Sequence, residues 1–195
     1  ILDGLTTTRE DLIVAIQEDA DASGGSVNQT RVYHTVDVGA NWVSTGNVPG
    51  RPRGKGIWND PFTSGFPIVP VISTTDNLYI VDPANTSVVP VLPGSILSGQ
   101  DDDGFGMVGS DGAYYVSTAV GDLVRVSFND IGILSYPNIG PVTKVPRGGS
   151  GIVASRRGPV TAMASSPNFL YVAFQGATYS HIMCWSYEFQ SWHSF

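Results

Sequence analysis

The chain has 195 residues, a formal charge of −7, 42% apolar and only 14% charged residues, with 23 glycines and 13 prolines. So few charges among so many turn formers exclude a helical bundle and point to an all-β chain long enough to fill a core. The acidic balance argues against nucleic acid as a partner, and no apolar run approaches the roughly 20 residues of a membrane helix.

Along the chain, Arg9-Glu10-Asp11-Leu12-Ile13-Val14-Ala15-Ile16 is the best candidate for a helix, yet its β-branched core reads as a buried strand. Next comes Asp19-Ala20-Asp21-Ala22-Ser23-Gly24, the opening of a D-x-D-x-[DNS]-G loop whose alternate oxygens at Asp19, Asp21 and Ser23 would converge on calcium. Thr30 stands where an EF-hand needs its glutamate, so this is no EF-hand, and no other cofactor is implied. Arg31 to Val36 then reads as a strand, followed by Thr35-Val36-Asp37-Val38-Gly39-Ala40-Asn41-Trp42 and a strand from Trp42 to Ser44.

A second group of short strands occupies 67–72, 78–81 and 87–91, and a third 106–108, 113–117, 122–127 and 132–135. A fourth takes 159–164, 169–174, 181–185 and 191–195. A repeat of about 50 residues with three or four strands matches a propeller blade. The predicted fold is an all-β β-propeller of about four four-stranded blades, near 1–48, 57–94, 104–140 and 158–195, or part of a larger propeller. A sandwich or jelly roll is the competing all-β arrangement.

In the octet, Asp37 has the chemistry to hold backbone N–H groups across a tight turn, and Gly39 the freedom to take positive φ. Trp42 brings a large apolar ring with one N–H. The spacing of Thr35, Asp37, Gly39 and Trp42 resembles the Asp-box, S/T-x-D-x-G-x-x-W, of sialidase-like (BNR) β-propeller repeats. That resemblance implies a structural mark in an outer turn, with the indole folded over the blade. Trp185 to Trp192 keeps the final tryptophan but lacks the aspartate and the glycine.

The enzymatic elements of the sialidase family do not follow. Arg51-Pro52-Arg53 comes after the box rather than before it, and Tyr187 and Glu188 are adjacent in a strand, so they point to opposite faces. No nucleophile elbow, P-loop or dinucleotide fingerprint occurs, and the three histidines show no metal-ligand spacing. Cys184, the one cysteine, sits in an apolar run and reads as a buried thiol.

Seven of the ten basic residues fall in two connections between blades: Arg51, Arg53 and Lys55, then Lys144, Arg147, Arg156 and Arg157. The register puts these on one face with the acidic loops at 18–21 and 101–103, a mixed-charge face suited to protein or glycan. The segment from Gly158 to His193 loosely resembles blades of bacteriophage tail and virion proteins. Together the residues predict a non-enzymatic structural or binding module at a virion or cell surface. Its partners would be other subunits of an assembly, or a receptor protein or glycan. The alternatives are part of an Asp-box glycosidase and a solitary lectin-like propeller.

Overall fold

The computed structural model describes residues 5–6, 12–20, 26–59, 68–82, 85–93, 97, 105–118, 122–128, 133–140, 160–175 and 180–194. Among them every regular element is a strand, and no helix is long and apolar enough to cross a membrane. The chain divides into two compact units, Ile1–Gly99 and Gln100–Phe195.

The first unit holds two antiparallel meanders. One runs through β1 (Leu5–Thr6), β2 (Leu12–Ala20), β3 (Ser26–Thr35) and β4 (Val43–Pro49), each strand paired with the next. The other runs through β5 (Pro52–Asn59), β6 (Ile68–Thr74), β7 (Leu78–Asp82) and β8 (Ser87–Pro90). β7 is buried along Leu78-Tyr79-Ile80-Val81, the continuous apolar run expected of a strand covered on both faces. Pro70 is tolerated in β6 because the ladder to β7 ends at Val71↔Ile80, so no donor is required of the proline. Val32 and Val48 of the first meander share one core with Ile72, Tyr79 and Val81 of the second.

β5 departs from the sequence reading, which treats Arg51 to Lys55 as a loop. Pro52, Gly54 and Gly56 disguise a strand whose pairing with β6 runs from Pro52↔Thr74 to Asn59↔Ile68. Arg53 is the extra residue of a bulge, because the register shifts between Pro52 and Gly54. A second bulge, between Ser44 and Gly46, sets Thr45 against the buried His34, with Thr45 Oγ1 2.9 Å from His34 Nδ1.

The second unit repeats the pattern. β9 (Gly106–Val108), β10 (Tyr114–Ser117) and β11 (Leu123–Phe128) pair in order, and both β12 (Leu134–Ser135) and β13 (Asn138–Gly140) pair with β11. A further meander joins β14 (Val160–Ser165), β15 (Phe169–Phe174), β16 (His181–Ser186) and β17 (Ser191–Ser194). In β15 the alternation is regular: Leu170, Val172 and Phe174 are buried, while Phe169, Tyr171 and Ala173 are half-buried. The buried set packs with Tyr115, Leu123, Met183, Trp185 and Trp192 in the core of this unit. Trp185 and Trp192 face each other across the strands, edge to face, with ring centroids 5.6 Å apart. Cys184 is buried in β16, where desolvation pushes its thiol pKa up, away from the range of a reactive thiolate.

Candidate functional site

The octet Thr35 to Trp42 forms the turn between β3 and β4. The Thr35 hydroxyl donates to Asp37 Oδ1 and accepts from the backbone N–H groups of Asp37 at 3.3 Å and Gly39 at 3.1 Å. The Asp37 carboxylate in turn accepts from the Asn41 backbone at 2.9 Å and from the Asn41 side-chain amide at 2.6 Å. Ala40 N–H donates to Asp37 O at 3.2 Å, closing a turn whose central residues, Val38 and Gly39, have φ of 59° and 90°. Positive φ at both central positions is the geometry that lets a tight hairpin follow the strand twist. The hydrogen bond from Thr35, then those from Asn41, hold the Asp37 carboxyl down at about 2, below its usual 3.8.

Trp42 lies over the turn, close enough that a methyl group on Gly39 would sit 3.6 Å from Trp42 Cζ2. Deep burial of the indole, implied by the resemblance, is not what forms: Trp42 is 43% exposed, because it covers turn backbone rather than the sheet core. The turn between β16 and β17 occupies the same place in its meander. There Ser186 Oγ accepts from Phe189 N–H at 3.2 Å, and Trp192 is only 4% exposed, its indole N–H donating to Ile139 O at 2.7 Å.

Arg51 precedes β5, and its backbone exchanges hydrogen bonds with Thr75 in the β6–β7 turn: Arg51 N–H to Thr75 Oγ1 at 3.0 Å, Thr75 N–H to Arg51 O at 2.9 Å. The connection thus meets that turn, whereas Arg53 and Lys55, expected in the connection, stand within β5. The same end is pinned by buried Asn77, which bonds the backbone of Leu92 through both its amide nitrogen and its oxygen, each at 3.0 Å. Lys144, Arg147, Arg156 and Arg157 lie outside the described residues, as do Asp21 and Ser23 of the calcium loop and the acidic run at 101–103; Asp19 falls within β2. Among the described residues no three His, Cys, Asp or Glu side chains gather as a metal site.

One constellation escaped the sequence reading. Asp111, in the β9–β10 turn, accepts through Oδ2 from Arg125 Nε at 3.2 Å, from Arg125 Nη2 at 2.9 Å and from the Tyr115 hydroxyl at 2.9 Å. Arg125 Nη1 continues to Ser127 Oγ at 2.8 Å. Beside it, Tyr187 OH lies 2.6 Å from Ser165 Oγ, which is 2.8 Å from Ser110 Oγ, and the Tyr115 and Tyr187 rings are 6.0 Å apart. The signal was available: Tyr115 and Arg125 are direct cross-strand partners in consecutive strands, and Asp111-Gly112 is the turn before them. Gly109 makes room for the cluster, since a methyl group there would fall 2.7 Å from Tyr115 Cε2. Burial pushes the Tyr115 phenol pKa up, and the Asp111 charge adds to it; burial does the same to Tyr187. Burial pulls the Arg125 guanidinium down, but the hydrogen bonds to Asp111 and Tyr115 outweigh it and keep it charged.

Paired meanders of antiparallel strands around apolar cores make this an all-β protein of the β-propeller kind. Among solved structures, that of YCF48 bound to D1 peptide, a β-propeller, is similar to the chain with a TM-score of 0.52 at 15% identity. The match covers 97% of this chain and 50% of the other, so the chain spans about half of that neighbour's length. No protein-family model and no curated protein matches the sequence.

Proposed function

We propose that the chain is a non-enzymatic propeller-type binding module, part of a virion appendage such as a phage tail or of a cell-surface assembly, and that it engages a protein partner. The observation that carries this reading is the closed hydrogen bonding of the Asp111–Tyr115–Arg125 group, with Tyr187 bonded beside it to Ser165. A glycosidase built on a tyrosine nucleophile needs a phenol that gives up its proton readily. Here both phenols are held in the neutral form, and the one carboxylate between them is already committed to Arg125 and Tyr115. Such a cluster braces strands and leaves little for turnover.

Asp37 is likewise committed to its own turn, so the box serves here as an Asp-box scaffold mark. A protein partner is favoured over a glycan because YCF48 was solved with a peptide bound. The test is to offer the purified chain fluorogenic glycosides beside peptide and glycan arrays. Peptide binding without turnover, weakened about tenfold or more in Arg51→Ala, is the expected result. Glycan binding alone would make the chain a lectin, and hydrolysis that disappears in Arg53→Ala would return it to the Asp-box glycosidases.

A further inference from the structure

The turn from Thr35 to Trp42 presents apolar side chains to water where a hairpin tip ordinarily presents polar ones. Val36 is 61% exposed, Val38 78% and Val43 49%, and the partly exposed Trp42 belongs to the same tip. The β9–β10 and β14–β15 turns follow the usual chemistry, with Ser110-Asp111-Gly112 and Ser166-Pro167-Asn168. Val38 also sits at φ 59°, a left-handed conformation that asparagine or glycine takes readily and a β-branched side chain takes only under strain. Neither feature helps the turn to close. Closure comes from the hydrogen bonds of Thr35, Asp37 and Asn41.

Those bonds hold the Val38 side chain outward on a rigid support. A preformed tip loses little freedom on binding, and tryptophan is a frequent anchor of protein interfaces. One charge accompanies the apolar groups: from Val36 to Ser44 the sole ionisable side chain is Asp37, whose pKa of about 2 keeps it ionised at neutral pH. A fixed anion opposes entry into a bilayer, and valines offer a glycan no hydrogen bonds. A protein segment that sets apolar side chains beside Lys or Arg matches both the valines and the carboxylate. The net charge of −7 draws the same basic partner from a distance.

We infer that the tip of the β3–β4 turn, with Val38 and Trp42 as apolar anchors and Asp37 as the charged contact, docks a basic, apolar segment of a partner protein. The inference rests on the reading of the chain as a protein-binding module. It names a surface apart from Arg51, which follows the far end of β4, roughly 20 Å along the strand from Val43.

The probes are synthetic peptides that combine leucine and phenylalanine with arginine, serine or glutamate in one fixed pattern. Calorimetry gives their affinities, and Trp42 emission reports the place of binding, since Trp58, Trp185 and Trp192 are buried. The arginine peptides should bind and shift that emission, and their glutamate counterparts should bind at least tenfold more weakly. Val38→Asn suits the positive φ, so it should melt at or above the wild type yet lose at least tenfold in affinity. Asp37→Asn should abolish the preference for arginine over glutamate, which a merely structural carboxylate would not set. Arg51→Ala should leave this binding unchanged. Equal binding of arginine and glutamate peptides overturns the inference, as does no binding at all, or a folded Val38→Asn with wild-type affinity. Phosphatidylcholine vesicles that shift Trp42 emission would make the tip a lipid contact and overturn it too. Peptide binding that depends on Arg51 and not on Val38 would keep the functional reading and sink this one.

Discussion

Asp37 shows how one side chain can organise a turn while exposed to water. Its folded pKa of about 2 lies below its ordinary 3.8, so its contribution is complete above about pH 4 and is lost as pH falls through about 2. Following the Asp37 carboxyl by NMR should give a midpoint near pH 2, and the Asn41 amide resonance should move with the same midpoint. In Asp37→Asn that acid dependence of the Asn41 amide should vanish. A midpoint near 3.8 in the wild type would mean that the Thr35 and Asn41 hydrogen bonds do not persist in solution. Trp185 is a contrasting case: its indole N–H is buried and has no hydrogen-bond partner among the described residues. Trp185→Phe should therefore cost less than Trp192→Phe, which breaks the bond to Ile139 O.

At the scale of the element, the two turns that end in tryptophan differ in what the ring covers. Trp42 shields turn backbone and remains 43% exposed, so Trp42→Ala should cost only about 1 kcal/mol. Trp192 fills the core of its unit, and Trp192→Ala should cost about 3 to 5 kcal/mol. Urea unfolding of the two variants measures the difference, and equal costs would contradict the burial pattern. The Asp111–Arg125 pair acts on three elements at once, the β9–β10 turn, β10 and β11. Its side chains are 17% and 21% exposed, so solvent screens it only in part, and Arg125→Ala should cost about 2 kcal/mol. The Tyr115 phenol, raised above its usual 10, adds stability below about pH 10 that is lost as pH rises further. Tyr115→Phe should accordingly blunt alkaline unfolding measured by circular dichroism.

For the whole molecule, charge is the governing quantity. The sequence isoelectric point is about 4.6, and at neutral pH the −7 charge opposes self-association. Solubility should pass through a minimum near pH 4.6 and recover below it, as turbidity against pH would show. The Asp37 turn, titrating near pH 2, should remain intact across that minimum, which separates association from unfolding.

The short apolar runs and turn formers determined by themselves that the chain is all-β and where most of the strands lie, because period and turn chemistry are local properties. The Thr35–Trp42 turn was legible for the same reason: Thr35, Asp37, Gly39 and Asn41 satisfy one another within a few residues. β5 was not legible, since Pro52, Gly54 and Gly56 have weak strand preferences and are held in place by pairing with β6. Nor was the exposure of Trp42, because burial depends on what a neighbouring element brings to the ring. Asp111, Tyr115 and Arg125 lie within one hairpin and were legible in principle, but the meeting of Tyr187 and Ser165 with that hairpin was decided by tertiary structure alone. It sets residues far apart in sequence side by side, which no short stretch of the chain encodes.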